Sequence, residues 1–447
     1  MRDSRAGLNA VAVSLLTRES AINEPQTMSA AVLTDAGDYF DLDARREGNV
    51  DEANGREEAD LVYDLGATVS GTLNFNRLQP HQAALILAYG LGAVQTSVAG
   101  AGYRHTITPL AGDLDPVRSN PSFTAAQRLG RTIAKRRFAS CFVDSFSLTF
   151  AADDWVKASA EIKGSGLVAN TVIEEAVVAP EDTSSLTLSG PVQGATDQER
   201  LDSVQVVRAV IDGSMQMAAV HAVSADDPAV LTIDPLGAVG TDTTFKVLYS
   251  PPEPEWASFP ERLTETPLRV SEACLYLGGS WTGSEFVGGE PVAGALRSFE
   301  WTCANNLSLG FTACAGDDHA GLCLRGARVQ TIKLTRELRN WMLQHYQDAN
   351  ETFGLHLVCE GALFDDSHRY AVELVFPRLG VLSAPLTSDG GVVAEAGDLQ
   401  VLHDPVHGTV IAAVQHQLIT LAAAGPALLV DGEALTVDSF IVDVKSF

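Results

Sequence analysis

Two histidines in the C-terminal part of the sequence have the residue type and spacing of a simple metal site. His403 and His407 stand four positions apart with Asp404 between them, so a helix would present both imidazoles on one face. Pro405 lies inside this spacing and disfavours a helix, because it removes a backbone donor and clashes with the preceding turn. The sequence therefore does not favour a metal ion here.

A second group of metal-type donors lies between residues 314 and 323. Cys314, His319 and Cys323, with Asp317-Asp318 nearby, would surround a metal ion only if a loop folded back on itself. The competing interpretation is that these cysteines are buried on strands, where a thiol behaves as a small apolar side chain. We favour the second interpretation and predict no metal ion.

No motif of catalysis or cofactor binding accompanies these residues. The sequence has no Walker phosphate-binding loop, no GxGxxG, no HExxH and no GxSxG. Gly90 and Gly92 follow a predicted helix rather than a strand, so they indicate a helix end. A Ser/His/Asp triad leaves no spacing signal in one sequence, and nothing here supports one. We predict a protein that is not an enzyme and that has no cofactor.

Charge narrows the possible partners. The 447 residues include 57 acids and 30 bases, which gives a formal net charge of -27. A general nucleic-acid binder is disfavoured, because affinity for phosphate backbones comes from Lys and Arg that displace counterions. The excess of acids is compatible with simple solubility, with a salt-adapted source, or with a protein that handles DNA by repelling it.

One acidic segment stands out near the N-terminus. Residues 41–60 are rich in carboxylates and poor in large apolar side chains, which predicts a long exposed loop or a hairpin excursion. We assign its acids to contacts between subunits, the candidates being Asp41, Asp43, Glu47, Asp51, Glu52, Glu57 and Glu58.

The most basic segment has three interpretations. It contains Arg128, Arg131, Lys135, Arg136 and Arg137. These side chains could contact DNA, could form an ordinary solvated face, or could meet the acidic residues 41–60 of a neighbouring subunit. These few basic side chains would give only weak electrostatic attraction for DNA in a chain with so large a negative net charge. We favour the subunit contact, because complementary patches fix the register between partners.

The elements that carry these residues predict a mainly β chain in which one unit is duplicated. The unit is a strand that runs into a helix, followed by an antiparallel hairpin. The first copy uses residues 73–77, a helix from Pro80, and 142–150 with 155–162; the second uses 332–336, 337–349, and 355–359 with 370–376. Because no chemistry is repeated with the unit, a building block is favoured over a catalyst.

This pattern divides the chain into three regions. Residues 1–165 and 256–447 are each expected to form an antiparallel β-sandwich or partial barrel with one flanking helix. Residues 166–255 show short strand candidates separated by turn signals, typical of a small inserted β-sandwich. Residues 93–127 are predicted to be mostly loop because of their glycines and prolines. Trp301 and Trp341 lie on patterns typical of core positions.

Cysteine usage and hydropathy bear on the cellular compartment. The six cysteines form no CxxC pair, so free thiols in a reducing cytoplasm are expected. The apolar run over residues 11–16 is short for a signal peptide, and no run approaches the roughly 20 apolar residues of a membrane span. We expect a soluble protein made in the cytoplasm.

In the order of these features the sequence resembles the tail tube (major tail) proteins of tailed bacteriophages. The resemblance covers about two-thirds of the chain and excludes 166–255. Its segments are Tyr103–Pro109, the hairpin Phe146–Gly164, Asn305–Gly310, Gly326–Val329, the helix over 337–349, and Phe376–Gly380. None of these segments is catalytic.

The resemblance implies a virion protein that polymerises with itself. Tube domains of this family join their inner sheets around a ring, usually with six domains per ring, and rings stack. With two tube-like halves per chain, a ring of three chains with pseudo-sixfold symmetry is implied, and a hexamer is the alternative. Further implied partners are the tail terminator, the tape measure protein and the baseplate.

The resemblance also implies how the tube handles double-stranded DNA. A conduit must not bind the DNA that passes through it, since even about 6–10 phosphate contacts give strong, salt-dependent retention. We expect many of the excess acids to line the bore, residues 41–60 and 128–137 to stack rings, and 166–255 to decorate the outer surface.

Two rival interpretations stay open at the sequence level. One is another virion component, such as a tail terminator, a baseplate hub or a capsid decoration protein. The other is a β-rich carbohydrate-binding or hydrolytic protein, whose tryptophans would have to cluster on an open face. Self-polymerisation separates the tube from the first rival, since a terminator stops at one ring.

Overall fold

A computed structural model describes residues 5–417 except 16–17, 54, 131–133, 293–294, 313–317 and 390, together with 429–430 and 433–434. Strands make up 54% of the structure, and the sheets are antiparallel, with none closed into a barrel in this part of the chain. The expectation of a mainly β fold with flanking helices is confirmed.

The N-terminal region contributes ten strands and one α-helix. They are β1 Ala10–Val13, β2 Ala30–Val32, β3 Phe40–Gly48, β4 Val62–Phe75, α1 Pro80–Leu91, β5 Gly92–Ala99, β6 Gly102–Pro109, β7 Phe123–Leu129, β8 Ala134–Ala151, β9 Lys157–Gly164 and β10 Val168–Asn170. Strands β5 and β6 and most of β7 occupy the greater part of 93–127, so the prediction of mostly loop there was wrong. Gly102 and Pro109 are the end residues of β6, and Gly100, Pro116 and Pro121 lie between strands.

The middle region contributes seven strands and one helix. They are β11 Ile173–Pro180, β12 Ser185–Thr187, α2 Asp197–Ser203, β13 Val204–Ile211, β14 Ser214–Met217, β15 Val220–Val223, β16 Val230–Ile233 and β17 Asp242–Tyr249. They form a four-stranded and a three-stranded sheet that enclose their own apolar core around Phe245 and Leu231. Ile173 pairs with Tyr249, so the chain enters and leaves this region at adjacent positions.

The C-terminal region completes the fold. Its elements are β18 Ala273–Trp281, β19 Phe286–Val287, β20 Glu290–Pro291, β21 Leu296–Ala304, β22 Leu307–Gly310, β23 Leu322–Arg325, β24 Val329–Glu337, α3 Met342–Ala349, β25 Phe353–Leu363, β26 Arg369–Ser383, β27 Leu386–Asp389, β28 Val392–Val401, β29 Ile411–His416, β30 Leu429–Val430 and β31 Glu433–Ala434. The sequence also predicts a final strand over 440–444, and these positions lie outside the described residues.

One continuous antiparallel sheet runs through both halves of the chain, and we call it the long sheet. Its strands pair in the order β3-β4-β9-β8-β21-β24-β28-β27. The halves meet where β8 pairs with β21, with Leu148 opposite Trp301. The Trp301 ring is buried in T-shaped contacts with Phe146, at 5.1 Å, and Phe376, at 5.2 Å. The two halves therefore share one core.

A second layer packs over the long sheet. Its strands pair in the order β5-β6-β29-β26-β25-β18, and β26 also pairs with β28, which joins the two layers. Helix α1 contacts β8 on one side and β6 and β29 on the other. Every residue of α1 is buried, as expected for a helix that is apolar all round.

The glycines around α1 have different roles. Gly92, with φ of 108°, ends the helix as predicted, since other residues are strained in that region. Gly90 does not end it, because it lies inside α1. A Cβ at Gly90 would lie 2.6 Å from the Phe146 ring, so this glycine permits close packing of α1 on β8.

Helix α3 begins later than predicted. Glu337 belongs to β24, where it pairs with Ala394 of β28, so the helix starts only at Met342. Asn350, in the left-handed conformation, ends it. Leu343 is the buried residue of α3, whereas Trp341 is 57% exposed. The prediction that Trp341 is a core residue was wrong, and the same prediction for Trp301 is confirmed.

Candidate functional site

The acidic segment forms a two-stranded arm, which we define as residues 41–65. The outer parts of β3 and β4 pair there, and both faces of the pair are exposed, although a residue on an ordinary sheet is covered on one face. Residues 41–48 are paired strand, so the hairpin alternative is the correct one and the loop alternative is wrong for them. Apolar side chains protrude from the arm, namely Leu42, Val50, Leu61, Val62, Tyr63 and Leu65.

The tip of the arm is ordered by one buried amide. Asn49 is 2% exposed and its Oδ1 accepts hydrogen bonds from the backbone N–H groups of Asp60, at 3.0 Å, and Leu61, at 3.1 Å. The Tyr63 hydroxyl donates to the Glu52 carboxylate at 2.8 Å. A segment this rich in charge is thus held as a defined hairpin, although it buries almost no apolar area.

The base of the arm is fixed to the segment that precedes β23. The Ala67 backbone N–H donates to the Asp318 carbonyl at 2.7 Å, and the Arg45 guanidinium lies 4.5 Å from the centre of the Phe311 ring. Gly66 has φ of 95°, and a Cβ there would lie 2.3 Å from the Asp318 carbonyl oxygen. The direction of the arm therefore depends on this glycine.

Strain from the positive φ alone costs about 1–3 kcal/mol. We expect Gly66→Ala to lower the free energy of unfolding by more than this amount, because the added Cβ also clashes with the Asp318 backbone. Gly55→Ala is the matched control, since Gly55 has φ of 78° at the arm tip with no atom within 4 Å of an added Cβ. Thermal unfolding of both variants measures the difference. Equal losses would show that the contact with Asp318 does not matter.

The predicted acids lie along the whole arm. Asp41 and Asp43 are at its base, Glu47 is near its outer end, and Asp51, Glu52, Glu57 and Glu58 are in the turn region; all seven are exposed. Their assignment to subunit contacts stays a prediction.

The long sheet has one buried face and one polar face. Along the register the polar face presents rows of Ser and Thr, such as Ser147 beside Ser159 and Thr302 beside Thr331. This face carries slightly more acids than lysines. The acids are Asp41, Asp43, Glu161, Glu300 and Asp398, and the lysines are Lys157, Lys163 and Lys333. Most of the net charge of -27 therefore lies elsewhere.

The long sheet ends in two strands that pair on one side only. Among the described residues, β3 pairs only with β4 and β27 pairs only with β28. An unpaired edge offers a row of backbone donors and acceptors to another strand. The two outer strands of one chain are therefore suited to pair with neighbouring copies.

The basic cluster makes contacts within its own chain. Lys135 Nζ lies 2.7 Å from the Glu253 carboxylate, and the Arg137 guanidinium lies 5.2 Å from the centre of the Trp256 ring. Arg128 and Lys135 both approach the Phe259 ring. None of the three interpretations of the sequence included this role, although the acid and aromatic residues after Pro252 were a usable signal.

The contact of these bases with the acids of a neighbour stays a prediction. Arg128, Lys135 and Arg137 line β7 and β8 beside Arg136, and none of the four makes an ion pair with the described residues of 41–60 in its own chain. Arg131 lies outside the described residues.

The metal-type residues do not converge in the part of the chain that the structure describes, where no three His, Cys, Asp or Glu side chains are arranged to hold an ion. His403 and His407 flank a turn in which Asp404 accepts the backbone N–H groups of Val406 and His407, both at 2.9 Å. Cys314 and Asp317 lie outside the described residues. Burial raises the pKa of the Cys323 thiol to about 12.

One buried charged group escaped the sequence analysis. The Glu265 carboxylate accepts the His81 backbone N–H at 2.9 Å and the Gln417 N–H at 3.1 Å. It also lies 2.9 Å from His81 Nδ1 and 3.6 Å from His416 Nδ1, with all three side chains fully buried. Glu265 thereby connects the start of α1, the end of β29 and the segment before β18. No motif marks it, because its partners are far apart in sequence.

No protein-family model matches the chain, and no curated protein shows significant similarity to it. None of the helices in the described residues is long and apolar enough to cross a membrane. The arm, the sheet edges and the polar face are therefore the features from which function can be inferred.

Proposed function

We propose that this chain is the tail tube protein of a tailed bacteriophage, which polymerises through rings into a conduit for double-stranded DNA. The observation that carries the proposal is the long sheet, which runs without interruption through both halves and ends in two unpaired edges. Strand pairing between chains at β3 and β27 would close such sheets into a ring and remove the exposed edges.

The shared sheet supports a ring of three chains. Each half supplies four strands of the long sheet, β3, β4, β9 and β8 from the first and β21, β24, β28 and β27 from the second. Three chains would then present six similar four-stranded units around one axis. A hexamer is the alternative, in which each chain acts as one larger unit.

The polar face is suited to the bore of such a ring. Its Ser and Thr rows offer no strong phosphate contact, and its acids outnumber its lysines. A weakly negative, hydroxyl-rich wall repels DNA without holding it, because retention requires many Lys or Arg contacts. In this arrangement the arm, exposed on both faces, reaches a neighbouring chain or ring.

Electron microscopy of the purified chain at rising concentration, with mass photometry on the same sample, tests the proposal. We expect hollow tubes or stacked rings, and a ring mass of three chains. A single ring that never stacks would favour a tail terminator. A monomer at every concentration, also in the presence of a tail initiation complex, would contradict the tube.

The middle region is expected to be dispensable for assembly. Because Ile173 and Tyr249 are paired, residues 173–249 can be replaced by a short Gly/Ser linker without separating β10 from the segment before β18. We expect this variant to form tubes of smaller outer diameter at a similar concentration, as seen by electron microscopy. Loss of assembly in a folded variant would place this region in a subunit contact instead.

A further inference from the structure

A groove of about 500 Å³ lies on the side of β18 and β25 that faces away from the core. Leu275 of β18 and Leu357 of β25 point inward. The next residue along each strand, Tyr276 and His356, points the other way and lines the groove. Its volume lies within the range of about 300–1,000 Å³ that small-molecule sites have.

Aromatic rings form the walls of the groove. The Tyr276 and His356 rings are nearly parallel, with centres 5.9 Å apart, and the Phe286 ring lies 5.3 Å from His356. A Cβ at Gly279 or Gly289 would lie 2.4 or 2.5 Å from the Phe286 ring. The two glycines thus leave room for the Phe286 ring to pack against the backbone, which fixes the position of this side of the groove.

Two carboxylates close one end of the groove. Glu272 directly precedes β18, and Glu360 directly follows Cys359, the residue that pairs with Ala273. Burial, followed by the nearby charges of Glu272 and Glu360, raises the pKa of the Cys359 thiol to about 12, so both carboxylates lie close to this residue. Adjacent like charges on paired strands are destabilising unless a cation lies between them.

No cation of the described chain fills this role. The groove is lined by aromatic, glycine, cysteine, valine and glutamate residues, without Lys or Arg. Neither Glu272 nor Glu360 makes an ion pair within the described residues, and Glu272 accepts one backbone hydrogen bond, from Arg269, at 3.2 Å. Carboxylate acceptors and π faces are present together; the donors among the lining side chains are the Tyr276 hydroxyl and the His356 ring, whose Nε2 already lies 2.8 Å from the Glu373 carboxylate.

We propose that this groove binds the guanidinium group of an arginine side chain carried by another protein. A guanidinium is flat, so it stacks on the face of an aromatic ring such as Tyr276, His356 or Phe286, and its fork of N–H donors matches carboxylate oxygens. The charge of the groove selects a cation over a neutral ligand such as a sugar. This inference does not depend on tube formation.

Binding of a short peptide to the full chain tests the inference. Acetyl-Gly-Arg-Gly-amide is titrated by isothermal calorimetry, and the same peptide with citrulline replacing arginine serves as the uncharged, nearly isosteric control. We expect the arginine peptide to bind at least about tenfold more tightly, because charge-assisted hydrogen bonds distinguish the two. Equal affinity of the two peptides, or no binding of the arginine peptide at millimolar concentration, overturns the proposal.

Variants locate the site. Glu360→Gln and Glu272→Gln are each expected to weaken binding of the arginine peptide roughly tenfold, and Glu360→Gln is expected to unfold at the wild-type temperature or above it, because it removes one of two adjacent like charges at an exposed position. Glu261→Gln, an exposed carboxylate outside the groove, is the matched control and is expected to have no effect. Unchanged affinity in Glu360→Gln and Glu272→Gln together would exclude the groove as the binding site.

Discussion

Replacement of Val62 and Leu65 by serine is expected to abolish assembly at concentrations where the wild-type chain polymerises. Val62 is 68% exposed and Leu65 is 50% exposed, and they lie on opposite faces of the arm. If neighbours cover both faces, each side chain contributes about 1.5–3 kcal/mol of apolar burial to assembly. The concentration required for polymerisation should then rise at least about a hundredfold.

The control for this prediction is a second pair of exposed apolar residues. Met215 and Met217 are 57% and 68% exposed in the middle region, and we expect Met215→Ser with Met217→Ser to assemble normally. Both double variants should keep their free energy of unfolding within about 0.5 kcal/mol, since the changed side chains are on the surface. Sedimentation and electron microscopy measure assembly. Normal tubes from the arm variant would exclude the arm as a contact.

Loss of the buried carboxylate at Glu265 is expected to have the largest effect on stability. Burial alone raises the pKa of Glu265, but the His416 and His81 imidazoles outweigh burial and hold this pKa well below its ordinary value. In Glu265→Gln the side-chain amide would turn an N–H group toward backbone N–H donors. We expect a loss of about 3 kcal/mol at neutral pH, measured by urea unfolding.

The pH dependence follows from the direction of the pKa shift. Because the pKa of Glu265 is lowered by folding, its contribution is fully present above the unfolded value, about 4.3, and is lost as the pH falls toward the folded value. The difference in the free energy of unfolding between wild type and Glu265→Gln should therefore narrow below about pH 4. Glu261→Gln, exposed in the same segment, should match wild type throughout. If the difference in the free energy of unfolding stayed constant down to pH 3, the charge of Glu265 would not be the cause of the lost stability.

Local patterns in the sequence were sufficient to predict several of the strands and helix α1. Alternation predicted the β8–β9 and β25–β26 hairpins, and Pro80 and Gly92 marked the start and end of α1. These predictions succeeded because residues two or four positions apart are constrained by the same strand or helix face. The mainly β fold class and the buried position of Trp301 follow from the same local rules.

Local patterns failed where a distant strand determined the outcome. The helix predicted from residue 337 begins at Met342, because pairing with β28 keeps Glu337 in a strand. The basic cluster is bound by Trp256 and Phe259, more than a hundred residues later in the chain, and no spacing rule connects them.

The sequence by itself determined the two principal hairpins and the limits of α1, where the acids and bases are concentrated, and that no recognised catalytic motif is present. Only the tertiary structure decided that the two halves share one sheet, that the acidic segment stands out as an arm exposed on both faces, and that Glu265 meets His81 and His416. The physical reason is that strand pairing and burial depend on contacts between residues distant in sequence, whereas composition and periodicity report only on neighbours.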